Sequence, residues 1–337
     1  MSPADRPDVR ETRWEGHDAL VLENEALRVT VVPSMGGHVA SLVDRVAGRE
    51  LLWRNPRMTP RPAPFGAWFD DWWSGGWDEI FPSGDQGRLH GETLPYMGEL
   101  WCLPWQAASR RADARASITG SVDTTIAAAR FERRLELRAG EAILRATYRI
   151  ENHDVRPLPF TWGIHPAFAV TSAHRVDHPA TEMLVGVSSD PSLGVAGATY
   201  RWPDLPDPTS PGGVRDARRV RPREDAVFGG HWATDLADGW LALTDTGARR
   251  GLAIAFDRDV FPDAWLWQVY GGWRGHHHLA LEAWTSRPMD LEGAQAAGRA
   301  RVLEPGAALE TEVAFVLHDG LDRVSSVRRD GDLFAVE

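Results

Sequence analysis

Apolar and polar residues alternate with a period of two through most of this chain, and long helical periodicity is hard to find. Leu27 to Val32 is a short β-rich run stopped by Pro33 and turned by Gly36-Gly37, and His38 to Val43 follows it. Residues 131–138 and 141–151 flank Ala139-Gly140 and read as a hairpin. In its second arm Ala142, Leu144, Ala146, Tyr148 and Ile150 share one face. Leu309, Thr311, Val313, Phe315 and Leu317 repeat the pattern after a turn at Pro305-Gly306. Such a sequence predicts an all-β fold, a large antiparallel β-sandwich of two sheets packed face to face. Two stretches break the rhythm: proline-rich residues 56–64, which lead into the tryptophan-rich residues 68–77, and residues 190–225, expected as a surface excursion. No internal repeat or shift in composition marks a boundary, so a single domain over residues 1–337 is expected.

Composition removes several classes of function. There is no apolar run of about 18 residues, so no membrane span is expected. Residues Met1 to Arg10 are polar, carry both charge signs and lack the pattern of a secretory signal, which predicts a cytoplasmic protein. One cysteine, Cys102, excludes an intrachain disulfide and a multi-cysteine metal site. All 37 basic residues are arginine. The absence of lysine removes Schiff-base aldolases, lysine-anchored pyridoxal phosphate enzymes and the P-loop lysine. A net charge of −11 argues against a nucleic-acid partner. Sixteen tryptophans point toward carbohydrate, because indole offers a flat apolar face and an N–H donor to a sugar ring.

Three segments carry candidate chemistry. In Trp162-Gly-Ile-His165-Pro166, proline biases His165 toward an extended backbone, and a histidine near its ordinary pKa can donate a proton near neutral pH. A histidine satisfied at a strand end has the same signature. Around Leu281-Glu282-Ala-Trp284, a carboxylate interrupts an apolar strand; it must be paired, open to a cleft or raised in pKa. In Gly75-Gly76-Trp77-Asp78-Glu79-Ile-Phe-Pro82, the paired glycines let the backbone approach a ligand, and the two carboxylates can accept from sugar hydroxyls. A tight turn ahead of a strand reads the same way.

These segments, in this order and after an opening that runs from Glu23-Asn24 through Val31-Val-Pro33 to Gly36-Gly37, resemble the aldose 1-epimerase (galactose mutarotase-like) family, in particular its divergent bacterial members. The resemblance covers the chain from about Leu22 to Leu317. It implies a sandwich with a sugar cleft on one sheet, Glu282 as the general base that takes the C1 hydroxyl proton, and His165 as the acid that protonates the ring oxygen. The implied substrate is a free hexose or a related sugar, and neither a metal nor a cofactor is implied. Trp77, Asp78, Glu79, His90 and Trp162 are expected at the substrate, with Trp267 and Gln268 as a facing wall.

The chain departs from the family pattern in two places. Met97, in Met97-Gly98, stands where members often carry a second histidine, while a His-Gly pair occurs earlier as His90-Gly91. The arginine found near the sugar in better-known members has no clear match in residues 75–82. A carbohydrate-binding or sensing protein without turnover therefore stays open, as does an epimerase of a phosphorylated sugar if the arginines at 215, 218, 219, 221 and 223 enter the cleft. His276 and His278 can share a strand face as metal ligands, but no third ligand is evident.

Overall fold

The computed structural model describes residues 6–337; the first five residues, part of the polar opening, lie outside the described residues. Strands take up 51% of the chain and helices 7%, as the alternation predicts. Among the described residues no helix is long and apolar enough to cross a membrane. The chain forms two compact units, each built from two separated segments: residues up to Pro166 with Trp284–Val313, and Ala167–Ala283 with Ala314–Glu337. Composition gives no sign of this division, because the chain passes between the units inside strands rather than through linkers.

The first unit contains β1 (Asp8–Trp14), β2 (His17–Glu23), β3 (Leu27–Val32), β4 (His38–Asp44), β5 (Trp77–Ile80), β6 (Gln106–Ala112), β7 (Arg115–Asp123), β8 (Ala129–Arg138), β9 (Ile143–Asn152) and the start of β10 (Gly163–Phe168). One sheet runs β1-β2-β3-β4-β5-β10 and the other β9-β8-β7-β6, with neighbours antiparallel. The hairpin expected around Ala139-Gly140 is β8–β9, with Leu137 opposite Leu144 and Gly140 at φ +78. Phe131, Leu135 and Leu137 of β8 point inward, and Leu144, Ala146, Tyr148 and Ile150 of β9 join them. Phe131 is the hub of this interior, 5.5–6.0 Å between ring centroids from Phe81, Trp105, Tyr148 and Trp162. Burying an aromatic side chain of this size contributes about 2–3 kcal/mol.

A charged group sits inside that apolar interior. Arg133, on the inward face of β8, donates to Glu79 of β5 at 3.0 Å and to the Gly37 carbonyl, and its guanidinium lies 5.1 Å from the Trp77 ring and 5.2 Å from the Trp105 ring. Glu79 also accepts from the Tyr148 hydroxyl at 2.9 Å and Trp162 Nε1 at 3.2 Å. The pair joins the two sheets. Burial holds the Glu79 carboxyl above its ordinary value, with the Arg133 charge acting against the shift.

The second unit contains β11 (His174–Asp177), β12 (Glu182–Ser188), β13 (Thr199–Arg201), β14 (Val227–Ala233), β15 (Trp240–Asp245), β16 (Arg250–Phe256), β17 (Asp263–Tyr270), β18 (His277–Trp284) and the end of β19 (Ala308–Asp319). Its strands order as β18-β17-β14-β12-β13 and β11-β15-β16-β19. The excursion over residues 190–225 is anchored rather than loose. Leu193, Tyr200, Leu205 and Val220 are buried, and His231 of β14 bonds the Leu193 carbonyl at 3.0 Å and the Tyr200 hydroxyl at 2.9 Å.

Candidate functional site

The site in the first unit is set by strand geometry. Successive side chains of a strand point to opposite faces. In β5 this sends Trp77 and Glu79 into the interior and Asp78 to the other face. Antiparallel pairing with β10 puts His165 opposite Asp78 and Ile164 opposite Glu79. On the other side Val39 of β4 is opposite Trp77, and one step along that register His38 meets Asp78, Nδ1 to Oδ1 at 2.8 Å. His38, Asp78 and His165 thus form one row across β4, β5 and β10. The second Asp78 oxygen accepts from Trp73 Nε1 at 3.2 Å.

A one-turn helix, α1 (Phe69–Trp72), places aromatic rings over this row. Phe69 and Trp73 meet the His165 ring edge to face, with centroids 5.8 and 5.2 Å away. Met35, His38, Arg61, Trp72, Trp73, Asp78 and Trp101 line a small half-open pocket here of about 20 Å³, room for about one water molecule. The Arg61 guanidinium lies 4.1 Å over the Trp72 ring at its rim. Burial lowers the His165 pKa to about 4, and the negative charge of Asp78 pulls the other way without cancelling it. His165 is therefore neutral at pH 7, where the sequence reading expects a histidine near its ordinary pKa.

The paired glycines serve the protein rather than a ligand. A Cβ on Gly75, at φ +90, would lie 2.2 Å from the Trp53 carbonyl oxygen. On Gly76, at φ +80, it would lie 2.5 Å from Cε1 of His38. Gly76 is what lets His38 stand beside Asp78. Gly76→Ala is expected to cost about 2–3 kcal/mol in urea unfolding, from left-handed strain and the displaced imidazole. A loss below 0.5 kcal/mol would show that the row has room to yield.

The remaining expected residues fall in several places. Trp77, Glu79 and Trp162 are fully buried and engaged with Arg133 and Tyr148, so they face the interior instead of a solute. His90 is exposed in the turn between Gly87–Leu89 and Glu92–Leu94. Met97 is buried, and Gly98 beside it packs on the Phe81 backbone. In the second unit Glu282 is buried on β18. On β17, Trp267 and Gln268 take opposite faces: Trp267 is near-parallel to Trp265 with centroids 6.4 Å apart, and Gln268 accepts from the Tyr270 hydroxyl at 3.3 Å. Of the five arginines at 215–223, Arg215 is engaged by Asp207, Arg218 by Asp216, and Arg221 by Asp225 and Ser192. Among the described residues no group of three or more His, Cys, Asp or Glu side chains is placed to hold a metal ion. His38 is the residue of the row that sequence reasoning missed, since only strand pairing brings it to Asp78.

No family model and no curated protein matches the chain. Solved structures do. A protein provisionally named an aldose 1-epimerase, from Klebsiella pneumoniae, superposes with a TM-score of 0.73 at 15% identity over 93% of this chain and 83% of its own. A galactose mutarotase-like protein from Clostridium acetobutylicum gives 0.61 at 14% identity over 93% and 99%. A galactose mutarotase related enzyme from Lactobacillus acidophilus gives 0.62 at 15% identity over 91% and 100%. The likeness spans nearly the whole of each chain and establishes the galactose mutarotase-like fold.

Proposed function

We propose that this galactose mutarotase-like fold serves an aldose 1-epimerase, interconverting the anomers of a free hexose or a related sugar. The observation that carries the reading is the His38–Asp78–His165 row beside an aromatic-lined pocket, in the fold shared with proteins of that name. In the reaction Glu282 takes the proton of the C1 hydroxyl, the C1–O5 bond breaks as C1=O forms, and O5 receives a proton from His165. Rotation about C1–C2 and the reverse transfers give the other anomer with no net consumption of protons. Asp78 holds His38 by one oxygen and Trp73 by the other, which fixes the face presented to the sugar.

A second reading, a sugar-binding protein without turnover, is favoured by Met97 and by the neutral state of His165, since thioether sulfur cannot donate a proton. Anomer exchange followed by NMR separates the two. Turnover should fall by about 10²–10⁴ in Glu282→Gln and His165→Ala. With the His165 pKa at about 4, the imidazolium is a strong acid but a scarce species at neutral pH. The protein-catalysed kcat/KM should then rise about tenfold for each pH unit lowered from 8 to 6. A rate flat or falling over that range removes His165 as the acid. No exchange above buffer, with saturable quenching of tryptophan fluorescence by sugar, selects the binding protein.

A further inference from the structure

We infer that the site extends outward to hold a second sugar unit, stacked on Trp68, so that a reducing disaccharide or longer is bound more tightly than a single hexose; this rests on the proposed sugar-directed function. Phe65 and Trp68 are the two large aromatic side chains exposed by more than a third among the described residues, at 44% and 46%. They stand three residues apart in the loop that enters α1. The loop is set by Pro60, Pro62 and Pro64, whose fixed φ angles limit its freedom.

Trp68 is held flat. Its indole lies on Tyr96 with centroids 4.3 Å apart and planes 12° from parallel, which covers one face and leaves the other toward solvent. Its position is tied to the pocket by the chain itself. The next residue, Phe69, touches the His165 ring, and Trp72 and Trp73 line the pocket. One turn of helix therefore presents one aromatic inward to the row and its neighbour outward as a rigid platform. A flat, oriented indole meets the C–H face of a pyranose with little loss of side-chain freedom, and Arg61 at the rim supplies donors to hydroxyls. The chemistry needs only the reducing ring in the pocket, so a glycosidically linked neighbour is free to lie on Trp68.

The test is a titration by intrinsic fluorescence and calorimetry of wild type, Trp68→Ala and Trp68→Tyr with glucose and galactose against maltose, cellobiose and lactose, alongside NMR anomer exchange. Wild type should bind at least one disaccharide about tenfold more tightly than its monosaccharide. Trp68→Ala should reduce that preference to about onefold, and Trp68→Tyr should keep most of it. Equal affinity for single and linked sugars in wild type, or a preference unmoved by Trp68→Ala, overturns the inference while leaving mutarotation of single sugars intact. Disaccharide binding that depends on Trp68 but is accompanied by no exchange upholds the platform and removes the epimerase. Absence of binding by every sugar removes both. A change in sedimentation mass on Trp68→Ala would assign the patch to self-association and overturn the inference as well.

Discussion

Acidifying the protein from pH 6.5 to 5.5 should cost about 4 kcal/mol of folding stability, and a further unit about as much again. Four histidines are buried in the neutral form. Burial lowers His165, His231 and His318 to about 4 and His178 to about 3, with the Arg250 charge adding to the effect at His318. Each is less than a tenth exposed. An unfolded chain protonates them near 6.5, the folded chain only near 4 or below. The unfolded state therefore binds more protons throughout that window, and stability falls as pH falls through it. Two buried glutamates, Glu79 and Glu99, are held above their ordinary values by burial and act in the opposite direction, which makes the slope shallower. The total is comparable with the whole stability of a typical domain, so acid unfolding is expected near pH 5. Urea midpoints at pH 7.5, 6.5 and 5.5 measure the effect. His178→Phe isolates one contribution: neither ring nitrogen has a hydrogen-bond partner among the described residues, and the ring packs against Trp202 at a tilt of 35° with centroids 4.1 Å apart. That variant should be about 1 kcal/mol more stable than wild type at pH 5.5 relative to pH 7.5. Midpoints unmoved between pH 7.5 and 5.5 would mean that the imidazoles reach solvent.

Replacing Arg133 should be more damaging than any other single change proposed for the first unit. Arg133→Met removes the partner of a fully buried carboxylate whose other contacts are single donors from Tyr148 and Trp162. Leaving such a charge uncompensated costs about 3–5 kcal/mol. Glu79→Gln in wild type should cost less, since an amide keeps an acceptor for Tyr148. The double variant Glu79→Gln/Arg133→Met should recover much of the loss, because removing both charges also removes both desolvation penalties. Chemical denaturation of wild type and the three variants closes the cycle. A cost below 1 kcal/mol for Arg133→Met, or no recovery in the double variant, would show that water reaches the pair.

The strand pattern was legible where one face of a strand is buried, as over most of β8 and the second half of β9, whereas β3, β5 and β10 are buried on nearly every residue and show no alternation. The same rule carried site information that a motif reading obscures. Trp77, Asp78 and Glu79 look like one cluster in sequence, yet a strand must send the outer two to one face and Asp78 to the other. Trp162 and His165 differ by an odd number and part in the same way. Arg133 was readable too, as a charge on the apolar side of Phe131, Leu135 and Leu137, where a buried partner is required. His38 was not readable, since its meeting with Asp78 depends on which strands pair and in what register. The lowered pKa of His165 was equally hidden, because it comes from aromatic rings contributed by α1.

The interleaving of the two units has a consequence for synthesis on the ribosome. The first unit includes Trp284–Val313, and several of its closing bonds come from that late segment. The Asn152 side chain donates to the Leu303 carbonyl at 2.9 Å, the Trp162 N–H donates to the Thr285 hydroxyl at 2.8 Å, and Leu158–Phe160 pairs only with Arg301–Leu303. An emerging chain of about 280 residues has nearly every strand of the first unit and none of these fastenings. Its strand Leu158–Phe160 is an open edge during that interval, a template for pairing with other nascent chains. Premature termination before Leu303 should therefore yield aggregating fragments rather than a shorter folded protein.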